Sequence, residues 1–172
     1  GCGEVIAADY CRQMARYNRW QNKSLYREAS LLSDAERRLD RGAFFGSIQN
    51  TLGHILWGDT IWMSRFAGWN PPPVSMAESA HYFPDWDDLF ARRKEVDQKI
   101  AIWASQLEDE ALLGDLTWFS PSINAELSKP ITTLMVQFFN HQTHHRGQVH
   151  AMLTGAGCQP DATDLPFMPE DA

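Results

Sequence analysis

A chain of 172 residues, 44% hydrophobic and 12% aromatic, fits one domain over residues 1–172 that can bury its own core without disulfides or a structural metal. Its 22 acidic and 15 basic residues give a net charge of −7, and the densest cationic run is only Arg92-Arg93-Lys94, which argues against nucleic acid and against anionic membranes as partners. Three cysteines, Cys2, Cys11 and Cys158, form no CxxC spacing, so neither a disulfide framework nor a thiolate metal site is expected and the expected setting is a reducing cytoplasm.

From about Val5 to Leu32, the residues Ile6, Tyr10, Met14, Tyr17 and Trp20 recur in steps of three and four, the period of one helix face. Ser33-Asp34-Ala35-Glu36 has the form of a capping box and predicts a short helical turn. A second long helix is predicted from about Gly46 to Ala67, with Ser47 near its start and Gly68 just past its end. Leu52, Ile55, Leu56, Trp57, Ile61 and Trp62 make it apolar over more than half its circumference, as a well-buried helix would be. Pro71-Pro72-Pro73 forbids helix, and the irregular stretch to Pro84 makes a long crossover of the kind that lets neighbouring helices run parallel.

Asp85, Asp87 and Asp88 supply an N-cap and first-turn acids for a third helix, whose core stripe is Leu89, Val96, Ile100, Trp103 and Leu107. Beyond Gly114, Leu116-Thr117-Trp118-Phe119 and the run from Ala125 to Leu127 can pair as a small hairpin across Ser120-Pro121-Ser122. A fourth helix is predicted from Pro130 to about Thr154, stopped by Gly155 and Gly157. The segment from Gln159 to Ala172 is expected to hug the surface or to hang loose. No stretch reaches the roughly 18 uninterrupted apolar residues of a membrane span.

Positions four apart on a helix differ by about 40°, so His141 and His145 share a face with Leu134, Phe138, Gln148 and Met152 and stand where core residues would. His144 and His150 point elsewhere and are expected at the surface or behind the pair. On the second helix His54 shares its face with Ser47, Asn50, Trp57, Gly58 and Ile61, and a glycine inside a buried helix suggests room left for something. If the second and fourth helices are neighbours, His54 completes a three-nitrogen set that leaves coordination positions open on a zinc-like or nickel-like ion. Taken alone, His54 reads more readily as a hydrogen-bonded core histidine, and the His141–His145 pair reads equally as a packing or capping feature; on two apolar stripes together they favour a metal. Asn50, Trp57 and Gln148 line the same faces, and Asn50 and Gln148 are candidates to hold the ligating rings.

Ser47-Ile48-Gln49-Asn50-Thr51-Leu52-Gly53-His54 followed by Asp59, and His141-Gln142-Thr143-His144-His145-Arg146-Gly147-Gln148, resemble segments of the DinB-like proteins. Tyr17-Asn18-Arg19-Trp20-Gln21-Asn22 is similar to that family's first helix, and the tail from Asp161 to Pro166 extends the resemblance over most of the chain. The resemblance implies an all-α four-helix bundle of up-down-down-up connectivity, often a homodimer, with a metal on residues matching His54, His141 and His145. It also implies metal-dependent transferases and isomerases that use low-molecular-weight thiols such as bacillithiol, mycothiol or glutathione.

Three functions follow for comparison. A thiol transferase acting on a small-molecule substrate needs open metal positions and no protein cysteine, and the three cysteines lie outside every motif. A metal-dependent hydrolase would be expected to place a carboxylate base beside the metal, yet Asp59 lies about 140° from His54 around its helix. A non-enzymatic role in metal binding, or a stress-induced dimer joined through Trp62, Phe66 and Trp69, is the third.

Overall fold

The computed structural model describes residues 5–172, so Cys2 lies outside the described residues, while Cys11 and Cys158 are free thiols. Four long helices dominate: α1 (Ala8–Ser30), α3 (Ile48–Ala67), α4 (Trp86–Gln106) and α5 (Ile131–Gly155), with a short α2 (Asp34–Arg38) after the first. Serine and aspartate side chains start three of these helices. Ser33 Oγ accepts from Glu36 N–H, Ser47 Oγ from Asn50 N–H and Asp85 Oδ1 from Asp88 N–H. Gly68 closes α3 in the left-handed region at φ 72°. α1 begins at Ala8 and not at Val5, because its first amide is capped by Asp109 Oδ1, 101 residues away.

Contacts between the helices fix their directions. Early α1 meets late α4, where Arg12 donates to the carbonyls of Ala104 and Leu107, and late α1 meets early α4, where Tyr26 stacks on Trp86, so these two run antiparallel. Tyr10 packs on Phe139 and Arg146 donates to Asn18, which makes α1 and α5 parallel. Phe66 packs on Phe138 while His54 faces His145, so α3 and α5 are antiparallel. Asp59 pairs with Arg93 and Phe66 stacks on Trp103, so α3 and α4 are parallel. The order is up-down-down-up, with the crossover from Gly68 to Asp85 joining the parallel pair. Leu25, Ile48, Leu52, Ile55, Met63, Leu89, Ile100, Phe138 and Leu153 fill the space between.

Asp115–Ser120 (β1) and Ala125–Pro130 (β2) form the expected antiparallel hairpin, with Trp118 opposite Leu127, and its turn places Asn124 at φ 50°. The helix that follows runs one residue past the expected stop, through Gly155, and ends before Gly157 at φ 88°. In α4, Leu89, Val96 and Ile100 are buried as expected, whereas Trp103 and Leu107 at its far end are only partly covered. Trp62, Phe66 and Trp69 pack against this chain's own residues. Trp62 meets Trp118, Phe66 meets Phe138 and Trp103, and the Lys99 ammonium sits 4.3 Å over Trp69, while all three side chains stay partly exposed.

Two segments that read as irregular have specific roles. Within the crossover, Met76–His81 forms a 3₁₀ helix laid on α3, and Gly53 permits this, since a Cβ there would stand 3.1 Å from the Ala80 carbonyl oxygen. The tail is a strap along α1 and not a loose end. Asp161 pairs with Arg27 and its amide donates to Ser24 Oγ, Gln21 donates to the Ala162 carbonyl and Arg16 to that of Glu170. Among the described residues no helix is long and apolar enough to cross a membrane.

Candidate metal centre

α3 and α5 are neighbours, and their antiparallel packing brings His54 against His141 and His145. Nε2 of His54 and Nε2 of His141 face each other at 3.2 Å, and one nitrogen from each of the three rings lies within 4.8 Å of the others. His54 is 7% and His145 9% exposed, and His141 is partly open. Among the described residues this is the only grouping of three or more His, Cys, Asp or Glu side chains close enough to share an ion. His144, on the same helix, is exposed, and His150 lies between α1 and α5.

Each ring is held by a different device. The Nδ1 of His54 is hydrogen-bonded to Ser79 Oγ at 2.8 Å, in the 3₁₀ helix of the crossover, and the Nδ1 of His145 donates to Gln148 Oε1 at 2.8 Å. At His145 the amide oxygen can only accept, so Nδ1 carries the proton and Nε2 the lone pair a ligating imidazole needs, and the Ser79 hydroxyl is able to accept from Nδ1 of His54 in the same way. His141 is placed by shape. A Cβ on Gly58 would stand 2.8 Å from its Cε1, so the missing side chain on α3 is the niche into which the ring fits.

Aromatic walls enclose the nitrogens. Phe45 stacks on His54 with ring centroids 4.1 Å apart and meets His145 edge-on, and Trp57 lies parallel to His54 at 6.3 Å. Asn50 makes no hydrogen bond to an imidazole; its Nδ2 donates to the Phe45 carbonyl and so holds the stacking ring in place. Trp57 Nε1 donates to the Val74 carbonyl and pins the crossover beside the site. Of the three residues expected around the histidines, Gln148 alone bonds a ring directly. Ser79 and Phe45 were not legible as site residues, since one lies in a stretch read as irregular and the other before the N-cap of α3.

Burial, reinforced by the positive charge its neighbours would carry, pushes the pKa of His54 down to about 3. Burial and His145 push His141 down to about 4 against the pull of Asp59, and His145 is lowered too, chiefly by burial. At neutral pH all three rings are therefore uncharged and carry free lone pairs. Two nitrogens bound at ~2.0–2.1 Å to one tetrahedral ion stand roughly 3.3 Å apart, close to the separation of His54 and His141. The donor set fits one divalent ion and leaves positions for a further ligand.

Asp59 is not in this group. It is 0% exposed, and its two oxygens accept from Arg93 and Gln142 at 2.7 and 2.9 Å. Arg93 also donates to Asp97, which in turn accepts from Asn18 and Asn22, and Arg146 donates to Asn18. This network ties all four long helices together just behind the histidines, and it holds the nearest buried carboxylates away from them.

The model of the DinB family matches residues 7–172. Protein DinB of Bacillus subtilis (strain 168) is 26% identical over 164 residues, covering 91% of this chain and 92% of that protein. Among solved structures the chain is similar to YfiT from Bacillus subtilis, described as a probable metal-dependent hydrolase with an unusual four-helix bundle topology. That similarity has a TM-score of 0.65 and 12% identity, covering 92% of this chain and 94% of the other.

Proposed function

The chain belongs to the DinB family, and from that membership we propose that it is a metal-dependent transferase in which His54, His141 and His145 hold one divalent ion, zinc or nickel, and a low-molecular-weight thiol attacks a small electrophilic substrate. A divalent ion there would supply the positive charge that acidifies a thiol or a water brought to it. The observation that carries the reading is the donor set itself: three neutral imidazoles in an apolar enclosure, with Asp59 and Asp97 committed to Arg93.

The chain's own residues divide the remaining work. Ser79 and Gln148 keep the lone pairs of His54 and His145 turned inward. Phe45 and Trp57 keep bulk water from the rings, which strengthens electrostatic interactions inside the enclosure. Neither free cysteine among the described residues serves as nucleophile: Cys11 is buried in the core with its thiol pKa pushed up to about 11, and Cys158 sits at the end of α5 against Glu28. An external thiol therefore suits the site. Its ordinary pKa lies within about two units of neutrality, so activation by charge alone suffices and no adjacent carboxylate base is required.

Hydrolysis is the second reading, favoured by the description of YfiT as a probable metal-dependent hydrolase. Zinc- and nickel-loaded protein, assayed with glutathione, bacillithiol and mycothiol against an aryl halide and, without thiol, against an activated ester, separates the two. Thiol-dependent turnover that disappears in His54→Ala supports the transferase. Ester turnover that needs no thiol and also disappears in His54→Ala supports the hydrolase, and no turnover above the His54→Ala background in either assay rejects both.

A further inference from the structure

On the far side of α5 from the imidazoles, a half-open cavity of about 510 Å³ lies between α1, α5 and the tail, within the size range of small-molecule sites. We propose that it is a second ligand site, distinct from the histidine cluster, which takes a small organic carboxylate on the guanidinium of Arg146. Arg146 lines this cavity and is 5% exposed. Buried arginines are ordinarily ion-paired. This one bonds only neutral oxygens, Asn18 Oδ1 through Nη1 and, at 3.4 Å, Thr143 Oγ1 through Nη2. No carboxylate lies within ion-pair distance of it among the described residues, because Asp59 and Asp97 are both taken by Arg93.

Asn18 makes the arrangement rigid. It accepts from Arg146 with Oδ1 and donates to Asp97 with Nδ2 at 3.2 Å, so the buried network fixes one edge of the guanidinium. A guanidinium has five N–H donors in a planar fork suited to two oxygens of one carboxylate, and two of those donors are used here.

Two independent features of the same cavity point to an occupant. Gly147, the next residue on α5, lines it, and a Cβ there would meet nothing within 4 Å. Glycine inside a helix is destabilising relative to alanine. In α3, Gly53 and Gly58 are explained by the close approach of the Ala80 carbonyl and of His141, but no protein atom explains Gly147. His150, one turn further on, also lines the cavity, and its Nδ1 is buried without a hydrogen-bond partner. A ligand carboxylate on Arg146 would place its body between His150 and the apolar walls made by Leu25 and the Tyr17 ring. The tail closes one side, held there by the Tyr17 hydroxyl, which donates to the Thr163 carbonyl at 2.5 Å.

Isothermal titration of the metal-loaded full chain with benzoate, its neutral counterpart benzyl alcohol and inorganic phosphate tests the assignment. Benzoate should bind at one saturable site. Affinity should fall at least tenfold in Gly147→Leu, whose Cβ meets nothing within 4 Å and whose side chain extends from the cavity wall, and should fall likewise in Arg146→Gln if that variant folds. His141→Ala should bind benzoate as the parent does. No saturable benzoate binding overturns the proposal, as does benzyl alcohol binding as well as benzoate. Phosphate binding without benzoate binding overturns the carboxylate assignment. Benzoate binding that survives Gly147→Leu but is lost in His141→Ala places the anion at the imidazoles and overturns the second site.

Discussion

Gly58 of α3 is the seat of His141 of α5: a Cβ at the glycine would lie 2.8 Å from Cε1 and 3.2 Å from Nδ1 of the imidazole. Gly58→Ala should therefore have effects that separate. Helix propensity favours alanine by about 1 kcal/mol, while the displaced ring should weaken zinc affinity on the order of tenfold, as the loss of a ligand's support does elsewhere. Competition titration with a chromogenic chelator reads the affinity and a thermal melt reads the fold; unchanged zinc affinity would refute the seating role.

Ser79 and Gln148 act on the imidazoles through Nδ1. Ser79→Ala and Gln148→Leu should each lower metal affinity by roughly 10- to 100-fold. Ser79 is buried and Gln148 half-buried, and each substitution removes one neutral hydrogen bond, so unfolding of the metal-free chain should shift by only about 1 kcal/mol. Equal losses of stability and affinity would mean that the two bonds matter for folding only.

The low pKa values of His54 and His141, about 3 and about 4, have a definite sign in stability. Unfolded histidine titrates near 6.5, so below that pH the unfolded chain takes up protons that the folded chain refuses. The melting temperature of metal-free protein should fall as pH drops from about 6.5 toward 4. His54→Ala should show a shallower fall over that window. Parallel profiles for parent and variant would contradict the shifted values.

Arg93 is 2% exposed and holds Asp59 and Asp97, themselves 0% and 4% exposed. Arg93→Met leaves two carboxylates buried without their partner, and should cost ~3–5 kcal/mol in urea unfolding. A loss within about 0.5 kcal/mol, the range of ordinary surface substitutions, would show that water replaces the arginine without penalty.

The long helices were legible because their signals are local: a period of three and four in α1, a serine or aspartate cap on α3 and α4, a proline or glycine at the limits of α3 and α5. His141 and His145 were legible for the same reason, since two residues on one turn carry their own angular geometry. His54 rested on its helix face together with the family likeness, because no spacing within a sequence says which helix packs on which. What stayed hidden depends on pairs far apart in the chain. Asp109 caps α1 from 101 residues away, and Ser79 reaches His54 across 25 residues from a stretch whose prolines read as irregular. Asp59 was placed correctly by angle as pointing away from His54, but its partner Arg93 sat unmarked inside the run Arg92-Arg93-Lys94. The glycine at position 58 announced a space without saying that a ring from another helix would occupy it.

The up-down-down-up order also bears on how the molecule assembles in time. His54 and His141 are 87 residues apart, and Arg146 and Asn18 are 128 apart, so neither the imidazole cluster nor the network behind it exists in any fragment folded from one half of the chain. Contacts of such separation must be made against loop-closure entropy, which slows folding relative to bundles joined by short antiparallel hairpins. An ion that binds only the closed bundle acts late, by retarding the separation of α5 from α3, the two helices that carry its ligands. Its removal should therefore accelerate unfolding far more than it slows refolding.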